Sequence, residues 1–264
     1  MKKLLIEEKN ISYVIAGKGP VLLFLHGFAE SHLIWEQQIR YFSSNGYTVI
    51  APDLPGFGAS DVWPEISIPV YAEVVQQILL HENAVPCSVF GHSMGGYIAL
   101  SIAAQYPSLV SALGIIHSHP FADSSERIEA RHKSVSFIRQ YGLSPYLKQL
   151  YPSFFPTGYP LEHPDVLAKL IHPSQGFDAD GVCAALLAMA KREDTSDVLR
   201  NFSGSVLFIL GQDDTLVPAN EQMLSQTTMP VHATVCLLDG VGHMSMFEAP
   251  EQLHHFLDTF IRTL

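Results

Sequence analysis

Ser88-Val89-Phe90-Gly91-His92-Ser93-Met94-Gly95-Gly96 is the stretch whose reading decides the fold. A short apolar run ends in a serine with a glycine two residues to either side, and a helix-compatible segment, Met94–Gln105, follows. A serine at the apex of a strand-to-helix turn needs strained backbone angles and close chain approach, which a Cβ at either flank would obstruct. Such a turn lifts the Ser93 Oγ clear of the backbone. The helix beginning near Met94 then points free N–H groups and a partial positive charge at any anion forming beside that oxygen. Ser93 is therefore the candidate nucleophile and the Met94 N–H a candidate oxyanion donor. A glycine-rich turn without chemistry is the competing reading of the motif alone, and the strand before it and helix after it favour the functional one.

Working outward, strand and helix alternate. Lys3–Glu8 and Ser12–Ala16 read as an antiparallel pair, and Val21–Leu25 is apolar without alternation, as a strand buried on both faces of a parallel sheet requires. Thr48–Ala51, Cys87–Phe90, Val110–Ile116, Val206–Leu210 and Thr234–Leu238 extend the series, with helices expected over Ser31–Ser44, Pro69–Glu82, Met94–Gln105, Ala219–Thr227 and Pro250–Thr263. The class is α/β: a mostly parallel eight-stranded sheet flanked by helices. Between Ser118 and Asn201 strand signals vanish, and helices are expected over Glu126–Tyr141, Pro145–Leu150, Asp165–Ile171 and Ala179–Lys191. Residues 118–201 thus form an inserted α-helical cap, or lid, on a core made of 1–117 and 202–264.

Composition narrows the partners. The 264 residues are 47% hydrophobic and 16% charged, with no run near the roughly eighteen apolar residues of a membrane span. Glu7, Glu8 and Lys9 end the apolar run of Leu4–Ile6 too early for an export signal. Cys87, Cys183 and Cys236 form no close-spaced pair, and Cys87 and Cys236, inside apolar strand-like runs, read as reduced, buried thiols, which suits a cytoplasmic location. A net charge of −11 opposes binding to nucleic acid or an anionic membrane surface, leaving a small neutral molecule as the expected substrate.

In open α/β sheets ligands lie beyond the carboxyl ends of the strands, so the residues just after each strand carry the chemistry. After Val21–Leu25 comes His26-Gly27-Phe28, where Gly27 permits a sharp turn that leaves the Phe28 N–H free as a second oxyanion donor. Losing one such donor typically costs about 10²–10³ in turnover. After Val206–Leu210 comes Gly211-Gln212-Asp213-Asp214-Thr215-Leu216-Val217-Pro218, in which one of two aspartates is placed to orient a histidine. After Thr234–Leu238, a glycine-rich loop delivers His243 as the candidate base.

With these motifs, the Asp53-Leu54-Pro55-Gly56-Phe57-Gly58-Ala59-Ser60 loop, and the order Ser93, Asp214, His243, the chain resembles the α/β-hydrolase superfamily over essentially its whole length. In that family the acid stands three residues after the glycine and four before the proline of its loop, which selects Asp214 over Asp213. The resemblance implies acyl transfer: Ser93 attacks an ester-like carbonyl, His243 moves the proton and Asp214 holds the imidazole tautomer. It also implies structural roles around the last helix for Met246, Glu248 and Pro250. No metal or organic cofactor is expected, since no His-Glu-x-x-His or clustered Cys/His spacing occurs.

Among the thirteen histidines, His26 is expected to prop the oxyanion loop and His92 to pack in the elbow. His26, His92, His117, His119 and Phe121 are candidates for the pocket wall. So are the cap aromatics Tyr141, Tyr146, Tyr151, Phe154, Phe155, Tyr159 and Phe177, with about half of these serving the cap's own core. Asp53 reads as a loop-fixing residue. The resemblance points to an esterase or lactonase acting on a small ester or lactone. Enol-lactonases, carbon–carbon bond hydrolases and cofactor-free perhydrolases or haloperoxidases stand as alternatives on the same fold, and a non-catalytic ligand receptor as one of another class. Dehalogenases and epoxide hydrolases place an aspartate where Ser93 stands and are disfavoured.

Overall fold

The sheet is laid down first along one edge. In the computed structural model, which describes residues Met1–Leu264, β1 (Lys2–Ile6) and β2 (Lys9–Gly17) pair antiparallel. β3 (Val21–Leu25), β4 (Thr48–Pro52), β5 (Cys87–His92), β6 (Val110–Ile116), β7 (Ser205–Gly211) and β8 (Ala233–Leu238) follow. Their spatial order is β1-β2-β4-β3-β5-β6-β7-β8, and every neighbouring pair from β4 onward is parallel. β3 and β5 lie side by side with Leu25 opposite Gly91. That register brings the His26 loop and the Ser93 turn to one point of the carboxyl edge.

Helices α1 (Glu36–Ser44), α2 (Ile68–His81), α3 (Met94–Gln105), α10 (Glu221–Ser225), α11 (Ser245–Glu248) and α12 (Pro250–Ile261) connect or flank the strands. Between β6 and β7 lie six helices and no strand: α4 (Ser125–Tyr141), α5 (Leu143–Leu150), α6 (Tyr159–Glu162), α7 (Pro164–Ser174), α8 (Ala179–Ala190) and α9 (Ser196–Asn201). No helix is long and apolar enough to cross a membrane. α3 is buried on every side from Met94 to Ala103, as a helix that is apolar all round must be.

Two expected helices are broken. The one anticipated over Ser31–Ser44 begins as a 3-10 turn, His32–Trp35, and becomes α-helical only at Glu36. Asp53 is the cause, because its Oδ1 takes both the His32 N–H and the His32 ring Nδ1–H and so fixes the entry of the chain. The one anticipated over Ala219–Thr227 shrinks to α10 and a 3-10 turn, Gln226–Thr228.

The core behind the elbow is aromatic. Phe90 has no exposed surface, stacks on Phe24 at a centroid distance of 5.1 Å and meets the Phe260 edge at 6.3 Å, which ties α12 to the central strands. Phe90→Ala is expected to cost about 3–5 kcal/mol of unfolding free energy, read from urea denaturation.

Candidate active site

Ser93 sits between β5 and α3 at φ 50° and ψ −115°, in the left-handed half of the map that only glycine enters freely. Its N–H donates to the Ile116 carbonyl at 2.9 Å, while its own carbonyl accepts from the Ser118 hydroxyl at 2.7 Å and the Gly96 N–H at 2.9 Å. A Cβ on Gly91 would stand 2.2 Å from the Gly95 carbonyl oxygen, and one on Gly95 would stand 2.4 Å from that of Leu25. Both glycines are thus dictated by backbone contact. Gly27 differs from expectation: its φ is unexceptional and the positive φ falls on Ala29, at 59°. What excludes a side chain at Gly27 is the crowding of Glu30 Oε2 and His92 Nδ1, each 2.8 Å from where its Cβ would be.

The structure brings His243 to Asp214 and leaves Asp213 exposed. His243 Nδ1 donates to Asp214 Oδ2 at 2.7 Å, which leaves Nε2 as its free nitrogen. The other oxygen, Oδ1, accepts the Leu216 and Val217 N–H groups at 2.9 Å each. Burial alone would raise the Asp214 pKa, but His243 and His117 outweigh it and hold the carboxyl far below the usual range.

Ser93 and His243 line one cavity of about 190 Å³, together with Phe28, Glu30 and Tyr97 from the core and Arg127, Arg131, Ser134, Tyr146 and Phe154 from the helical segment. The Met94 N–H is the first of α3, beyond the reach of any helical carbonyl, and the Phe28 N–H donates no hydrogen bond within the protein.

A family model described as the alpha/beta hydrolase fold matches residues 20–141. 3-Oxoadipate enol-lactonase 2 of Acinetobacter baylyi is 27% identical, over 97% of this chain and 94% of that protein. A thermophilic esterase from Thermogutta terrifontis, solved with malate bound, superposes with a TM-score of 0.91 at 26% identity, covering 97% of this chain and 94% of that one. The chain has the α/β-hydrolase fold and is similar to these two proteins over nearly its whole length. A local match to Epoxide hydrolase 2 of Siraitia grosvenorii reaches 35% identity but spans 49% of this chain and 39% of that protein.

None of the five residues expected on the pocket wall outside the helical segment's own aromatics lines the cavity of this hydrolase. His26, His92, His117 and His119 are buried beside polar partners instead, and Phe121 is half-buried against the His119 ring. His26 donates through Nδ1 to the Gly27 carbonyl at 2.8 Å and accepts the Leu54 N–H at Nε2, 2.9 Å away, so it is neutral, and burial keeps its pKa low. His119 lies 3.4 Å from the Tyr97 hydroxyl, with Phe121 stacked on its far side at 5.7 Å. Of the helical segment's aromatics, Tyr146 and Phe154 reach the cavity, whereas Tyr141 is exposed and Tyr151 is buried.

His92 Nε2–H donates to the His243 carbonyl at 2.8 Å, and Nδ1 stands 3.1 Å from Glu30 Oε2, where an ionised Glu30 favours the charged ring. Burial lowers its pKa, but Glu30 reverses the shift and raises it, while His92 in turn overcomes the effect of burial on Glu30 and lowers that carboxyl. Glu30 Oε2 also takes the Gly27 N–H at 2.6 Å. This pair escaped sequence reasoning because nothing local marks Glu30 as the partner of a residue 62 positions away.

His117 adopts φ 47° and points Nδ1 at Asp214 Oδ2, 3.3 Å away, with burial lowering its pKa to about 4. The ligating atoms of His117, Asp214 and His243 lie within 4.8 Å of one another, the spacing of a metal site. Those same atoms are already joined by the two Nδ1–H bonds to Oδ2, and a cation would need both nitrogens stripped of their protons.

Glu248 braces the His243 loop from both sides, accepting the Gly242 N–H at Oε2 and the Met244 N–H at Oε1, each at 2.7 Å. Burial pushes its pKa up to about 7, against the pull of those two amides. A carboxyl bound more tightly to its proton when folded than when unfolded stabilises the fold fully at low pH and loses that contribution as pH rises from 4.5 to about 7. Glu248→Gln is expected to flatten the pH dependence of stability in that window by up to about 1.4 kcal/mol per pH unit, measured by denaturant unfolding at stepped pH.

Proposed function

We propose that this α/β hydrolase cleaves a small carboxylic ester or lactone through an acyl-enzyme, with Ser93 as nucleophile, His243 as general base and acid, and Asp214 as its orienting carboxylate. The observation that carries the reading is the 2.7 Å bond from His243 Nδ1 to Asp214, which commits one ring nitrogen and leaves the other at the cavity that Ser93 lines. Ser93 Oγ would attack the carbonyl carbon while its proton passes to His243 Nε2. The resulting oxyanion accepts the Phe28 and Met94 N–H groups. Collapse expels the alkoxide, which takes the proton back from Nε2; in a lactone that alcohol stays tethered to the acyl group. Water, deprotonated by the same nitrogen, then releases the acid.

Size supports a small substrate, since the cavity that Ser93 and His243 line measures only about 190 Å³. In this reading residues 118–201 act as the cap, since Arg127, Tyr146 and Phe154 supply walls that the core lacks. The likeness to an enol-lactonase and an esterase favours acyl chemistry, and the serine at position 93 disfavours the aspartate-based epoxide opening of the locally matching relative.

A fluorophosphonate probe is expected to label the wild-type protein stoichiometrically at Ser93 and to leave Ser93→Ala unlabelled. A folded wild-type protein that resists labelling would favour a receptor. Asp214→Asn is expected to lower kcat about 10³–10⁴-fold on a p-nitrophenyl ester, with Asp213→Asn within about twofold of wild type. Equal losses would refute the choice of acid.

A further inference from the structure

We propose that the Ser93 cavity contains a subsite for a carboxylate carried by the substrate, with the Arg127 guanidinium as its receptor. The inference rests on the hydrolase reading above and narrows its substrate to monoanionic esters or lactones. It departs from the neutral substrate suggested by the net charge of −11, because the local balance around the cavity has the opposite sign.

Three permanently charged side chains line the cavity: Glu30, Arg127 and Arg131. Glu30 is matched by His92. Arg131 is matched by Asp123, whose Oδ1 also serves Arg192 at 2.7 Å, so that carboxylate has nothing further to give. Arg127 forms no ion pair within the protein. Of its five N–H donors, one is used: Nη2 donates to the Leu216 carbonyl at 2.7 Å. Asp214 is the nearest triad carboxylate in sequence to that anchor, but it stands behind His243 and is engaged by His243, His117, Leu216 and Val217.

The anchor matters as much as the charge. The Leu216 N–H is bonded to Asp214, so the bond from Arg127 to the Leu216 carbonyl fixes a half-buried guanidinium relative to the acid loop. An orphan cation held this way beside a small, partly apolar cavity is suited to a planar carboxylate, which can accept two parallel N–H bonds from its remaining donors. The excess positive charge is felt nearby: His119, already disfavoured as a cation by burial, is pushed down to about 3 with the help of Arg192 and Arg127. With the scissile carbonyl at Ser93 and the carboxylate at Arg127, the distance between the two groups in the substrate becomes a selected quantity.

The test uses p-nitrophenyl half-esters of succinic, glutaric and adipic acid beside their neutral methyl-capped counterparts. Wild-type protein is expected to show a kcat/KM ratio of anionic over neutral substrate of about tenfold or more at the best chain length. Arg127→Gln should collapse that ratio at least tenfold, chiefly through KM, and Arg127→Lys should restore part of it. If Arg127 is only a strut to Leu216, Arg127→Gln lowers both substrates alike and the ratio stands, which overturns the proposal, as does a wild-type preference for the neutral esters. Binding of monomethyl glutarate, read as a thermal shift, gives a readout free of turnover: stabilisation of wild type lost in Arg127→Gln supports the subsite, and its absence in wild type overturns it. Failure of the hydrolase reading shows separately, as loss of fluorophosphonate labelling at Ser93.

Discussion

The backbone of Ser93 is the constraint on which the rest of the site depends. Holding a non-glycine residue at φ 50° and ψ −115° costs on the order of 1–3 kcal/mol, so the surroundings must over-determine it. They do so from three directions: β6 takes the Ser93 N–H through Ile116, Ser118 and Gly96 take its carbonyl, and the β3 backbone presses against Gly95. The order of the central strands follows from this. Only with β3 and β6 on either side of β5 can one turn touch both neighbours, and only then does the His26-Gly27-Phe28 loop lie beside the serine.

A second device recurs at the same edge. Each loaded loop is held by a buried or half-buried carboxylate that turns back to take backbone N–H groups: Glu30 from Gly27, Asp53 from His32 and Ala59, Asp214 from Leu216 and Val217, Glu248 from Gly242 and Met244. Desolvating four carboxylates is costly, and fixed amides together with imidazoles at three of them offset that cost. The helical segment adds its own struts. The Tyr151 hydroxyl donates to the Ala29 carbonyl at 2.7 Å, the His243 N–H donates to the Phe154 carbonyl at 2.9 Å, and Arg127 holds Leu216. Three loops from three different strands are therefore set by contacts that any outward swing of the segment would break.

What the sequence made legible was what local pattern controls. The continuous apolar runs of β3, β5, β6 and β7 announce strands buried on both faces, and the glycines at 91 and 95 announce the turn. In the sequence Asp214 is set apart from Asp213 only by the family's loop spacing; in the fold the Asp214 side chain meets His243 and Asp213 is exposed to solvent. The cavity wall was not legible. It depends on which face of α4 meets the sheet, and the inward stripe Arg127, Arg131, Ser134 is polar, so a search for apolar periodicity passes over it. The five residues expected at the wall that do not line the Ser93 cavity share a different feature: each follows a strand or flanks the elbow, where nearness in sequence to the site does not say which way a side chain turns.

The histidines show how partners, more than residue type, divide the labour. His26 is held neutral by an acceptor on one nitrogen and a donor on the other, so neither can exchange a proton without breaking its bond to Gly27 or Leu54. His92 faces the Glu30 carboxyl with one nitrogen, which raises its pKa against the effect of burial, and pins the His243 carbonyl with the other, its ring centroid 4.8 Å from that of His243. His117 shares the Asp214 oxygen and does not line the cavity, with Nε2 unpartnered and burial lowering its pKa to about 4. Of the four, His243 alone combines an ionised carboxylate on one nitrogen with a cavity at the other. The proposed general-base work asks for a ring oriented by a carboxylate at one nitrogen and open to the substrate at the other, and in this cluster the hydrogen-bond partners leave only His243 so placed.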